Sequence, residues 1–106
     1  MKVIDLVNKF DFEVVNLAEP DREIEAGYCG DLLSLVMSKA PTNSVWCTVM
    51  NNVNVAAVAA LADISVVIVC EVKEIDKTLL ERAKEKSINI LRSDKDVYSV
   101  AVSLGV

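Results

Sequence analysis

The stretch Val53-Asn54-Val55-Ala56-Ala57-Val58-Ala59-Ala60-Leu61-Ala62-Asp63-Ile64-Ser65-Val66-Val67-Ile68-Val69-Cys70-Glu71-Val72 decides the fold. It has the length of a membrane span, yet it contains Asn54, Asp63, Ser65 and Glu71. A central carboxylate costs roughly 3 kcal/mol on insertion, which the preceding alanines do little to offset. The character also changes halfway. Val55 to Leu61 is a helix of small apolar residues that can lie close against a sheet, whereas Ser65 to Cys70 is a near-continuous β-branched run of strand length. That is the pattern of a strand covered on both faces. The stretch therefore reads as a buried helix followed by a buried strand, with no membrane association.

Outward from it, the same alternation continues. Towards the C-terminus, Leu79, Leu80 and Ala83 define a half-exposed helix from Asp76, with Lys77, Glu81, Lys84 and Glu85 on its other side. Ile88 to Leu91 follow as a short strand. Ser93-Asp94-Lys95-Asp96 has the S-x-x-D form of a capping box opening a last helix with Val97, Val100, Ala101 and Leu104 on one stripe, which Gly105 is placed to end. Lys73 to Lys77 reads as a solvated turn.

Towards the N-terminus, Val45 to Met50 is a β-branched and aromatic strand, and Leu32 to Met37 a strongly apolar helix stopped before Pro41. Asp31 stands where a helix N-cap would be, its carboxylate accepting from first-turn amides. Glu23 to Cys29 leans to strand, Asn16 to Arg22 to loop and Phe12 to Val15 to strand. Val3, Leu6, Val7 and Phe10 form the apolar stripe of a short first helix. Strands alternating with helices over short connections predict a single three-layer α/β/α domain spanning residues 1–106, with a mostly parallel sheet of about five strands.

Composition narrows function by exclusion. Sixteen acidic against eleven basic side chains give a net charge of −5, which repels rather than neutralises a phosphate backbone, so no nucleic-acid partner is expected. With no histidine, the Ser-His-Asp and Cys-His catalytic pairs and the commonest metal ligand are missing. Neither a metal nor a cofactor is expected. Cys29, Cys47 and Cys70 are odd in number and widely spaced, which suggests neither a disulfide framework nor a zinc site and implies a reducing, cytoplasmic compartment. Cys47 and Cys70 read as small buried hydrophobes; Cys29, flanked by glycine, is less decided. The N-terminus shows no export signal.

Ligands of open α/β sheets bind beyond the carboxyl ends of strands. Two segments qualify. In Gly27-Tyr28-Cys29-Gly30-Asp31 the glycines Gly27 and Gly30 allow close backbone approach and Tyr28 can stack on a ring. In Asn51-Asn52-Val53-Asn54 the amides of Asn51, Asn52 and Asn54 both donate and accept. Each also has a plain structural reading, as a turn or a cap. Asp31 can be a cap or an acid–base group, the cap favoured; Asp21 and Arg22 can be an ion pair pinning their loop or an anion site, the pair favoured. The stripe of the first helix, Trp46 and the Leu32–Met37 helix together offer more apolar surface than a small domain buries easily, which suggests a homodimer.

Residues Asp21-Arg22-Glu23-Ile24-Glu25-Ala26-Gly27-Tyr28-Cys29-Gly30-Asp31-Leu32-Leu33-Ser34 resemble the DRTGG domain family, named for its signature Asp, Arg, Thr, Gly and Gly. Asp21, Arg22 and Gly27 keep signature types, while Glu25 and Ala26 stand in place of the Thr and the first Gly. The asparagine-flanked helix near Asn52 to Ala60 and the strand near Val66 to Cys70 extend the resemblance along the chain. It implies a free-standing copy of a module found in CBS-domain pyrophosphatases and phosphate acetyltransferase-like proteins, with a fold similar to the N-terminal domain of HPr kinase/phosphorylase. It further implies a non-catalytic regulatory module, homodimeric, binding a small nucleotide-like or phosphorylated ligand at the two loops. The alternatives are an adaptor for a separately encoded partner enzyme, or a small enzyme using Asp31.

Overall fold

A computed structural model describes residues 1–105. Along the chain it runs α1 (Val3–Lys9), β1 (Glu13–Asn16), β2 (Ala26–Cys29), α2 (Leu33–Lys39), β3 (Ser44–Thr48), α3 (Asn54–Leu61), β4 (Val66–Cys70), α4 (Lys77–Lys86), β5 (Ile90–Ser93) and α5 (Val97–Leu104). The strands form one sheet in the order β1-β5-β4-β3-β2. β2, β3, β4 and β5 are mutually parallel, and β1 joins β5 antiparallel at one edge. The three-layer, mostly parallel α/β architecture expected from the alternation is what the chain adopts.

From β2 to β5 each strand lies beside the previous one and the sheet always grows in the same direction. Right-handed crossovers then put every connecting helix on the same face. Accordingly Val36 of α2, Val55, Ala56 and Ala59 of α3, and Leu79 and Ala83 of α4 pack with Trp46, Val67, Val69 and Ile90. The opposite face holds α1 and α5, whose Val3, Leu6, Val100 and Leu104 pack with Val45, Cys47, Val66, Ile68, Cys70 and Leu91. β4 is buried at all five residues, as a strand between two helical layers must be. Alanines at positions 56 and 59 are essentially inaccessible, which lets α3 lie close to the sheet.

Several local expectations shift. Of the stretch read as strand from Glu23, only Ala26 to Cys29 joins the sheet; Glu23 instead forms an isolated bridge with Lys2, which anchors α1. Ser93 is not the cap of α5. It remains in the β5 ladder opposite Cys70, so a turn must intervene, and Asp96 takes the cap by accepting from the Ser99 amide at 2.8 Å. Gly105, at φ 69°, does end α5. Trp46 contributes nothing to surface, being fully enclosed, and of the α1 stripe Val3 and Leu6 are buried in the core while Val7 and Phe10 are half-buried against it.

The amino edge of the sheet is closed by polar side chains. Asn89, buried just before β5, donates from Nδ2 to the carbonyls of Glu19 (2.8 Å) and Ser65 (2.9 Å) and accepts from the Glu19 amide (2.8 Å). The Ser65 hydroxyl donates to the Glu23 carbonyl. Arg22 does pin its loop, but its partner is not Asp21. Its guanidinium reaches Asp63 and Asn43 across the turns flanking β3 and α3, because the loop carries it over the amino ends of the strands. Asp63, the carboxylate that argues against a membrane span, is the other half of that pair.

Replacing Asn89 by alanine removes the partner of one buried and two part-buried backbone groups and is expected to cost about 1–3 kcal/mol. Urea unfolding of Asn89→Ala measures it, and a loss under about 0.5 kcal/mol would mean that water replaces the amide.

Candidate functional site

At the opposite, carboxyl edge, β2 and β3 are neighbours, so the loops that follow them stand side by side, an adjacency that strand order alone decides. Gly30 and Asp31 lead from β2 to α2, and Val49 to Val53 from β3 to α3. Asp31 is not the N-cap of α2. That helix starts one residue late, after Leu32, with no side-chain cap. The Asp31 Oδ1 instead accepts from the Thr48 hydroxyl (2.7 Å) and the Val49 amide (2.9 Å), tying the end of β2 to the end of β3. The Thr48 hydroxyl in turn accepts from the Met50 amide at 3.1 Å.

Gly30 is needed for space. A Cβ there would meet the Tyr28 ring at 3.1 Å, and its backbone does not enter the left-handed region. Its carbonyl accepts from the Trp46 indole at 2.9 Å. The Tyr28 ring packs against the core beneath α2 and α3, so the face that was read as free for stacking is largely engaged. Gly27, in the middle of β2, borders a shallow cavity on the opposite, α5 side of the sheet.

The asparagine loop divides its work. The Asn52 side chain accepts from the Asn54 amide at 2.9 Å, shaping the turn into α3. Asn54 is the first helical residue and is exposed. Asn51 faces the next loop: its Nδ2 donates to the Glu74 carbonyl (3.0 Å), and its Oδ1 accepts from the Asp76 amide (2.9 Å). Asn51, Glu74, Ile75, Asp76 and Lys77 thereby wall an open groove of about 520 Å³.

The structure thus brings Asn51 together with the loop after β4, while Gly27 and Tyr28 border a different cavity. The β4–α4 loop was read as a plain solvated turn. A signal was present, because the most enclosed strand, Val66 to Cys70, lies at the middle of the sheet, and the loop after it opens at the centre of the carboxyl edge. Glu71 adds a feature no composition reveals: at φ 64° it is left-handed, held there with its amide donating to the Ser93 carbonyl at 3.0 Å.

Charge around this edge is mixed and mostly acidic. Asp31, Glu71, Glu74, Asp76, Asp94 and Asp96 outnumber Lys73, Lys77, Arg92 and Lys95. Arg92 bridges Glu13 (3.1 Å) and Asp94 (2.7 Å) and donates to the Val72 carbonyl. The hydrogen bond from Arg92 holds the Asp94 carboxyl below its ordinary range. Lys77, at the exposed start of α4, brings a cation to the groove.

No family model matches the chain, and no curated protein does. Among solved structures it is similar to the CBS and DRTGG domains of the regulatory region of Clostridium perfringens pyrophosphatase, complexed with the activator diadenosine tetraphosphate. The TM-score is 0.68 at 14% identity, over 93% of this chain and 42% of that one. The chain spans less than half of that structure's length, and at this identity the likeness is one of fold. Residues 21–34 and the backbone therefore point, by separate routes, to a DRTGG-like fold.

Asp31→Ala removes both acceptor contacts and is expected to destabilise by about 1–2 kcal/mol, while Asp31→Asn, which keeps an Oδ1 acceptor, loses less. Denaturant midpoints of the two variants check this, and equal losses would count against the bridging role.

Proposed function

We propose that residues 1–106 form one DRTGG-like regulatory module, non-catalytic, that senses a small nucleotide-like ligand at the carboxyl edge of the sheet. The observation that carries the reading is the groove between the asparagine loop and the β4–α4 loop, in a fold shared with a regulatory region that binds a nucleotide activator. The Glu74 and Asp76 carboxylates there suit ribose hydroxyls, and Asn51 holds the two walls of the groove together. Lys77 supplies the point charge for a phosphate, and the surrounding carboxylates oppose a long bare polyphosphate. Glu25 and Ala26, where the DRTGG signature has Thr and Gly, lie at the start of β2, away from this edge, so the departure leaves the groove intact. The enzyme alternative is weakened because the Asp31 Oδ1 is already occupied by two donors.

A thermal-shift series with diadenosine tetraphosphate, ATP, AMP and cyclic dinucleotides tests the reading. A ligand at a hundredfold excess over its Kd stabilises by about 2.7 kcal/mol, which raises Tm by about 10 °C for a chain of this size. Lys77→Ala should reduce that shift and leave the unliganded Tm unchanged. Absence of a shift with every nucleotide overturns the sensing role and favours the adaptor for a partner enzyme.

The module is proposed to be a homodimer through α2. Leu35 and Met37 flank its buried stripe on either side at 41% and 48% exposure, Leu32 precedes them at 61%, and Leu61 at the end of the adjacent α3 is 76% exposed. Sedimentation equilibrium should give twice the chain mass, and Leu35→Glu should give a monomer with unchanged far-UV circular dichroism. A wild-type monomer at high concentration removes the dimer.

A further inference from the structure

Cys29 and Cys47 are register partners on the parallel strands β2 and β3. Their side chains leave the same face of the sheet at the same height. Adjacent strands lie about 4.8 Å apart, inside the Cα window of 4.4–6.8 Å in which disulfides form. Cys29 is exposed at the sheet edge, while Cys47 is 2% exposed. Both thiols border one cavity of about 140 Å³, with Gly27, Val45, Ala101 and Leu104 around them. Gly27 contributes no side chain, and Gly27 and Cys29 on β2 are exposed where Val45 and Cys47 on β3 are buried. The space beside Cys29 is therefore open to a small reagent.

From this pairing we propose that Cys29 and Cys47 are a reversible redox pair, in which exchange with a low-molecular-weight disulfide of the glutathione class closes a bond between β2 and β3. In the first step the Cys29 thiolate attacks one sulfur of the external disulfide. That disulfide bond breaks, one small thiolate departs and takes up from solvent the proton that Cys29 had lost, and a mixed disulfide remains on Cys29. In the second step the Cys47 sulfur attacks the Cys29 sulfur, the mixed disulfide breaks, and the second small thiol leaves with the Cys47 proton. Two protein thiols are oxidised and one external disulfide is reduced to two thiols.

The division of labour follows from surroundings. Burial, with Cys29 and Cys70 nearby, holds the Cys47 thiol strongly protonated, so it does not react first with a reagent from solvent. Cys70 lies on the same face but two residues beyond Ile68, the register partner of Cys47 on β4. Its thiol is pushed up to about 11, chiefly by burial, and it takes no part. Register partners sit at about the strand spacing, roughly 1 Å beyond the mean Cβ separation of a disulfide, so closure draws the edge strand inward. Such a bond is readily reduced, which suits a reversible switch.

The test is native incubation of the whole chain with glutathione disulfide, followed by denaturation, alkylation of remaining thiols and mass spectrometry. The wild type is expected to yield a species whose underlying mass is about 2 Da lower and which carries one alkyl group, on Cys70. Cys70→Ser should form the same bond with no alkyl group. Cys47→Ser should stop at a glutathione adduct on Cys29, with Cys47→Ala as the apolar substitute if serine disturbs the core. Wild type that retains glutathione on Cys29 with Cys47 open to alkylation after denaturation overturns the pair. So do chains linked to one another through Cys29.

Discussion

The direction in which the sheet is wound governs the rest of the molecule. Because β2, β3, β4 and β5 are laid down in order without reversal, right-handed crossovers place α2, α3 and α4 together on one face. Only the helices before β1 and after β5 remain for the other. Two helices do not cover that face fully, and the shortfall falls at the edge strand β2, where Gly27 and Cys29 are exposed while Val45 and Cys47 behind them are not. A sheet wound in one direction among its parallel strands also has no crevice where strand order reverses. Ligand space must come from the loops at the carboxyl edge themselves.

The two edges are built differently. At the amino edge, Asn89, Ser65, Arg22 and Asp63 draw the 17–23 loop and the turns around β3 and α3 into one hydrogen-bonded closure. Of these, Asn89 and Ser65 are buried, and satisfying their polar groups favours one arrangement, since each alternative leaves a costly unpaired group. At the carboxyl edge, individual side chains join neighbouring loops: Asp31 joins β2 to β3, Asn51 joins the β3–α3 loop to the β4–α4 loop, and Arg92 joins β5 to Glu13, Val72 and Asp94.

The fold was legible where burial imposes periodicity. The run Val66 to Cys70 reads as a doubly covered strand because nothing but apolar residues fits between two helical layers, and Val55 to Leu61 reads as a helix because small residues permit close approach. Site detail was less legible, because one side-chain type serves several ends. Asp31 precedes an apolar helix, yet the end of β3 offers it a hydroxyl and an amide, and those outcompete the helix amides. Ser93 fits a capping pattern, but the ladder with β4 keeps it in strand. Arg22 was rightly read as a pin and wrongly paired, since Asp63 is 41 residues away in sequence and adjacent only once β3 and β4 are aligned. The left-handed Glu71 and the register of Cys29 with Cys47 are consequences of strand order, which no local pattern carries.

On the sensing role proposed for the groove, α3 is the element that connects it to the apolar surface of α2. Its first turn begins at Asn54, beside the groove, and its last residue is the exposed Leu61, about 11 Å away along the axis. Between them Val55, Ala56, Val58 and Ala59 are packed on the sheet with little side-chain length to absorb displacement. Asn51 already holds the Glu74 carbonyl and the Asp76 amide, so a ligand that competed for those bonds would act on the turn into α3. The α2 and α3 surfaces lie against one another within the same core cluster. On the proposed reading, α3 would be the one short helix that links the groove to the proposed dimer face, and its close-packed small residues are the ones that first marked the stretch from Val53.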